Sequence, residues 1–155
     1  MPDITPFLWF DRQAEAAAEF YVAVFPNSKI TGRVRRTEAV PVDAGPVLTV
    51  SFELDGQRCT ALNGGPHVAL NQAFSFVVPC KDQAEIDYYW RALAADGGAP
   101  GRCGWLTDRF GLSWQIVPKA LADLLAGAGA DRVIAAILTM TKLDLAQLEA
   151  AANGS

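Results

Sequence analysis

Few side chains in this chain of 155 residues could do chemistry, and they are scattered. His67, the one histidine, sits in Gly64-Gly65-Pro66-His67. An imidazole titrating near neutral pH beside a pocket can act as a general base, so His67 is the weak catalytic candidate; the plainer expectation is a solvated loop residue. Cys59, Cys80 and Cys103 lie far apart and make no CxxC pair, which leaves a Cys-His nucleophile thinly supported and favours reduced, mostly buried thiols. Gln115 is the best-placed polar group. In Gly101–Pro118, GRCGWLTDRFGLSWQIVP, residues alternate from Leu112, with Leu112, Trp114 and Ile116 on one side and Ser113, Gln115 and Val117 on the other. A strand with one apolar face and a lone amide on the other suggests packing on one side and a lined cavity on the other. Gln115 either contacts a ligand there or completes a buried hydrogen-bond network. Ser75 and Asn63 are further ligand candidates, against a space-filling serine and an asparagine serving turn chemistry. Trp105 is the candidate for stacking on a planar ligand, against burial in a subunit contact. Asp108 belongs to the turn Asp108-Arg109-Phe110-Gly111, where Gly111 suits a positive φ.

The elements that must position these groups follow from periodicity. Ile4–Phe10 is almost continuously apolar and is expected as a strand buried on both faces. Ala14, Ala17, Ala18, Tyr21, Val24 and Phe25 form a helical stripe, stopped by Pro26-Asn27. Residues 29–38 alternate as an edge strand with Ile30, Gly32 and Val34 inward and Lys29, Thr31, Arg33 and Arg35 outward, followed by a Pro/Gly-rich loop that could serve as a flap. Residues 47–54 and 57–63 flank Asp55-Gly56, a strong two-residue hairpin signal. After a break at residues 64–72, residues 73–80 make an apolar strand, and Asp82 with Glu85 opens a helix carrying Ile86, Tyr89, Trp90 and Leu93. The apolar stretch Cys103–Leu106 pairs with the Gln115 strand. Residues 119–155 are helical, with segments near 120–125, 131–140 and 144–152 expected to cover a sheet edge or a partner subunit.

The order of elements occurs twice. Gln13-Ala14-Glu15 recurs as Gln83-Ala84-Glu85, each time after an apolar strand and at the opening of a helix. The fold class is therefore α+β: two βαβββ modules, residues 4–63 and 73–118, with a C-terminal helical extension over 119–155, in a single domain spanning 1–155.

Composition removes several function classes. A formal charge of −4 argues against nucleic acid or an anionic membrane as partner, since both require a basic face. Apolar residues make up 51% and charged residues 19%, rich enough in hydrophobes that a homodimer is expected. The opening Met-Pro-Asp-Ile-Thr-Pro lacks a basic segment followed by an apolar core, and no run approaches a membrane span, so a cytoplasmic, untargeted protein is expected. GxSxG, GxxxxGK[ST] and GxGxxG are all missing, which removes serine-hydrolase, P-loop and Rossmann readings.

The stretches ITPFLWFD, AAAEFYVAVFPNSKI, TALNGGPH and GWLTDRFGLSWQIVP, together spanning most of residues 4–118, resemble the PhnB-like branch of the vicinal oxygen chelate superfamily, whose members carry a 3-demethylubiquinone methyltransferase label. The resemblance implies two modules forming a cup-shaped open sheet, and the helices after Pro118 resemble an extension in that branch. Metal-dependent members of the superfamily place His or Glu ligands on four strands. Set against that pattern, this chain offers Ile4 on the first strand, Leu62 and Asn63 at the end of the fourth, Ser75 on the fifth and Gln115 on the last, so no bound metal and no cofactor are expected. The methyltransferase label would need a glycine-rich turn for the methyl donor, and Asp11-Arg12-Gln13 contains none. The expected function is a small-molecule binding protein with a metal-free apolar cup; the alternative is an enzyme of the same superfamily acting on a small metabolite, through unexpected metal ligands or His67.

Overall fold

Strand β1 (Phe7–Phe10) turns directly into helix α1 (Ala14–Val24), and β2 (Lys29–Arg35), β3 (Val47–Leu54) and β4 (Gln57–Asn63) complete a sheet ordered β1-β4-β3-β2. The computed structural model describes residues 1–155, and these elements make the first of two compact units, Met1–Leu70 and Asn71–Ser155. β1 runs parallel to β4, while β3 runs antiparallel to both of its neighbours, β2 and β4. Helix α1 buries Ala14, Ala17, Ala18, Tyr21 and Val24, and the small side chains let Tyr21 settle against Phe52 with ring centroids 6.1 Å apart. Each large side chain fully withdrawn from water here contributes roughly 1.5–3 kcal/mol. At the Asp55-Gly56 hairpin both φ angles are positive, 46° and 85°, as a tight two-residue turn requires.

Two expectations for this unit are corrected. β1 begins at Phe7, with Ile4 outside it, and is covered on one face only: Leu8 and Phe10 are buried, whereas Phe7 is 61% exposed, because α1 occupies a single side of the sheet. The edge strand β2 does not alternate as its sequence suggests. A bulge between Ile30 and Gly32 shifts the phase by one residue, so Arg33 lands beside α1, pairing with Glu15 at 2.9 Å and Glu19 at 3.6 Å, and Val34 is exposed.

The second unit repeats the path. Strand β5 (Ser75–Cys80), helix α2 (Gln83–Ala94), β6 (Ala99–Pro100), β7 (Trp105–Thr107) and β8 (Ser113–Pro118) form a sheet ordered β5-β8-β7-β6, with β5 parallel to β8. The molecule is thus an α+β protein with two open four-stranded sheets of identical topology. α2 starts as its sequence indicates: Asp82 accepts from Glu85 N at 2.9 Å, and Glu85 Oε2 in return accepts from Lys81 N at 2.8 Å. Ile86 and Leu93 bury against the sheet face that carries Leu106, Trp114 and Ile116. β7 begins at Trp105, two residues later than the apolar run suggests, because Cys103 and Gly104 take left-handed φ angles of 60° and 83°.

Helices α3 (Leu121–Ala126), α4 (Ala130–Ile137) and α5 (Leu145–Asn153) follow. Val133, Leu143 and Leu148 form their buried centre, with Val117 of β8 packed against it. Gly129 is obligatory at the α4–α5 crossing, where an added Cβ would lie 2.3 Å from the Ala152 carbonyl oxygen. No helix is long and apolar enough to cross a membrane.

Candidate functional site

Alternation along β8 sends Trp114 and Ile116 toward α2 and Gln115 to the opposite, open face of the second sheet. Cross-strand register surrounds it: Val77 on β5 and Trp105 on β7 are its two partners. Gln115 Nε2 donates to Ser75 Oγ at 2.9 Å, so the sequence candidates Gln115, Ser75 and Trp105 lie together on one face. All three are half-buried, and Val77 beside them is 54% exposed. The surface therefore combines one oriented amide-hydroxyl pair, an indole and an aliphatic patch. Its strand positions carry no charged side chain, which suits a neutral ligand with a planar body and a hydrogen-bonding head.

Asp108 is more than a turn residue. It is buried, and its carboxylate accepts from Phe110 N at 2.8 Å, Leu112 N at 3.1 Å and Trp114 Nε1 at 2.8 Å. One side chain thus fixes both the β7–β8 loop and the indole under the open face. The Trp114 link could not be read from spacing, because Asp108 looks like ordinary turn chemistry until β8 folds back over it.

Asn63 is placed elsewhere, in the first unit, and its amide serves the backbone. Oδ1 accepts from Ala14 N at 2.9 Å and Nδ2 donates to Val47 O at 2.9 Å. Gln13, at the N-cap of α1, makes no side-chain cap, and Asn63 supplies one from the end of β4. His67 is exposed in the loop after β4. The proposed flap is tied down by Arg36, whose guanidinium donates to the carbonyls of Gly45 at 2.8 Å, Val42 at 2.5 Å and Asn63 at 2.5 Å.

The repeat identifies residues the sequence reasoning missed. The displacement that carries Gln13-Ala14-Glu15 onto Gln83-Ala84-Glu85 carries Thr5 onto Ser75 and Phe7 onto Val77. Phe7 pairs with Thr60 as Val77 pairs with Gln115, and Ser51 pairs with Thr60 as Trp105 pairs with Gln115. The first-unit counterparts of Ser75, Gln115 and Trp105 are therefore Thr5, Thr60 and Ser51, in place of the Ile4, Leu62 and Asn63 chosen from sequence. All three line one cavity of about 320 Å³ in the first unit, together with Thr31, Glu53 and Arg58. Glu53 there is flanked by Lys29 at 3.8 Å and Arg58 at 3.9 Å. The signal was present in the repeat, which the sequence reading used to find the modules but not to align positions within them.

Ser75 and Gln115, the second-unit positions that the resemblance sets against metal ligands, and their first-unit counterparts Thr5, just before β1, and Thr60 on β4 make a set of four. These are neutral hydroxyls and an amide, Ser75 and Gln115 already bond each other, and no three His, Cys, Asp or Glu side chains cluster anywhere to hold an ion. Such donors bind transition metals poorly, so the residues present do not fit a divalent ion.

Comparisons with known proteins show the family and the fold. A family model described as 3-demethylubiquinone-9 3-methyltransferase matches residues 2–117. Among solved structures, the PhnB protein of Bacillus cereus is 32% identical, with a TM-score of 0.68 over 76% of this chain and 99% of its own. Protein PA1353 of Pseudomonas aeruginosa shares the fold at 18% identity, with a TM-score of 0.64 over 77% of this chain and 98% of its own. No protein with curated annotation matches. Helices α3, α4 and α5 lie beyond the segment that the family model matches.

Proposed function

The chain belongs to the 3-demethylubiquinone-9 3-methyltransferase family, a PhnB-like branch of the vicinal oxygen chelate superfamily, and on that footing we propose that it binds a small, neutral, planar molecule without a metal. The reading rests on the Gln115–Ser75 pair, 2.9 Å apart and flanked by Trp105 and Val77 on the open face of the second sheet. An amide held by a neighbouring hydroxyl keeps its carbonyl oriented for a ligand N–H or O–H, and the indole offers a face to a ring. The family's label does not carry methyl transfer to this chain. The turn from β1 into α1 has no glycine, and the helix N-terminus that could take an anionic group of a methyl donor is already capped by Asn63. Exposed Phe7 and Val34 in the first unit, and Phe74 and Val77 in the second, support a homodimer as part of the same proposal.

Titration with 2-naphthamide in the presence of EDTA tests the reading. Binding persists in chelator, and Gln115→Ala weakens it about five- to tenfold, the equivalent of one hydrogen bond. Binding abolished by EDTA, or unchanged in Gln115→Ala, overturns the proposal. Light scattering of the eluted protein decides the dimer.

A further inference from the structure

We propose that the C-terminal extension is a clamp that positions Trp105 and so shapes the ligand surface of the second unit. The extension is added beyond the segment shared with the family. It does not merely cover apolar surface: its connection between α4 and α5 grips the corner from which Trp105 projects. Cys103 N donates to Met140 O and Gly104 N to Thr141 O, both at 2.8 Å, two successive donors to two successive carbonyls. That corner needs holding. Cys103 is a non-glycine residue at φ 60°, a strained conformation that persists only where the surroundings impose it, and Gly104 follows at φ 83°. Leu143 fills the space beside Gly104, where an added Cβ would come within 3.0 Å of Leu143 Cγ. Gly104 O in turn accepts from Ile116 N at 2.8 Å, which carries the corner's position into β8 next to Gln115.

The same connection is fixed to α2. Gln83 Nε2 donates to Leu143 O at 3.1 Å, Gln83 Oε1 accepts from Leu145 N at 2.8 Å, and Lys142 Nζ meets Asp87 Oδ1 at 2.5 Å. The corner is thereby braced against the helix under the sheet. Val117, two residues after Gln115 on the open face, packs into the extension's core and closes that end of the face. A side chain held before the ligand arrives spares the ordering cost on binding. The clamp is a positioning device, and its effect on binding rests on the ligand reading above.

The test incorporates 5-fluorotryptophan, with the Trp105 fluorine resonance assigned through Trp105→Phe and Trp9, in the first unit, as internal reference. In Leu143→Ala the Trp105 line shifts and broadens while that of Trp9 stays, and affinity for 2-naphthamide falls several-fold, up to about tenfold; Leu143→Met restores both. Lys142→Ala, which touches only an exposed pair, gives a milder change in the same direction and serves if Leu143→Ala does not fold. A folded Leu143→Ala protein with an unaltered Trp105 line overturns the clamp. A moved line with unaltered affinity overturns its role in binding. If the unsubstituted protein binds no 2-naphthamide, the ligand reading falls and the fluorine line alone decides whether the clamp exists.

Discussion

The Trp114 indole nitrogen donates to the Asp108 carboxylate across 2.8 Å in the buried interior of the second unit, while the other oxygen of that carboxylate holds Phe110 N and Leu112 N. One side chain therefore ties the loop between β7 and β8 to the core residue beneath Gln115. Its removal is costly because three donors lose their acceptor, Leu112 N and Trp114 Nε1 in buried surroundings and Phe110 N in partly buried ones.

Asp108→Ala is expected to destabilise the protein by about 3 kcal/mol or more, from unsatisfied buried donors at roughly 1–3 kcal/mol each. Asp108→Asn keeps one oxygen for the two backbone donors but turns an amide N–H toward the indole N–H, and costs less, about 1–2 kcal/mol. Urea unfolding followed by tryptophan emission separates the two. Equal stability of Asp108→Ala and the unsubstituted protein contradicts the assignment.

Asp108 also shows where the sequence was legible and where it was not. Helices α1 and α2, the Asp55-Gly56 hairpin and the double βαβββ order all follow from local signals: period, caps and turn residues. So does the core position of Trp114. What failed depends on pairing. The bulge at Thr31 inverted the faces of Arg33 and Val34, and the left-handed pair Cys103-Gly104 shortened β7. Neither leaves a mark in composition. Asn63 looked like turn chemistry because its partners, Ala14 and Val47, are distant in sequence and meet it only once β4 lies between β1 and β3. Gln115 was legible because its alternation along β8 is local, and Thr5 was within reach of the repeat's fixed displacement, whereas Thr60 and Ser51 required the register.

Acid is expected to loosen the extension. The Lys142 ammonium, and after it the Gln83 amide, hydrogen-bond the Asp87 carboxylate and hold its pKa below the ordinary carboxylate value. A carboxyl depressed in the folded state contributes stability above its ordinary value, and that contribution is lost as the pH falls through the depressed one. The difference in urea midpoint between the unsubstituted protein and Lys142→Ala should therefore be present at neutral pH and disappear on acidification below the carboxylate range. A difference independent of pH would show that Lys142 acts through packing alone.

The thiols are expected to divide two to one. Burial pushes Cys59 up to about 11, and burial with the nearby Glu85 and Asp82 carboxylates pushes Cys80 up to about 12. The thiolate is the reactive form, so at pH 8 these two are protonated as well as covered. Cys103 is half-exposed at the clamped corner. A disulfide reagent such as dithiobis(nitrobenzoate) should modify one thiol per native chain and all three after denaturation. Cys103→Ser should abolish the native reaction; persistence of a full equivalent in that variant would place the accessible thiol elsewhere.

Asn63 supports the first unit as Asp108 supports the second, but through a helix terminus. α1 follows β1 with no capping side chain of its own, and the Asn63 carbonyl at Ala14 N takes up one of the donors that every helix start leaves open. Its amide N–H meets the Val47 carbonyl at the start of β3, so the residue joins helix, β3 and β4 at one point. Asn63→Ala leaves the buried Ala14 N–H and the partly buried Val47 carbonyl without this partner and should cost about 2–4 kcal/mol. Asn63→Asp retains the acceptor, and its charge favours the helix N-terminus, yet its second oxygen opposes the Val47 carbonyl; its stability should lie between the other two. Hydrogen exchange at the Ala14 amide reads the cap directly: fast in the alanine variant, protected in the aspartate one. Equal protection in both would mean that water caps α1 as well as Asn63 does, and that the loss of stability comes from the Val47 side alone.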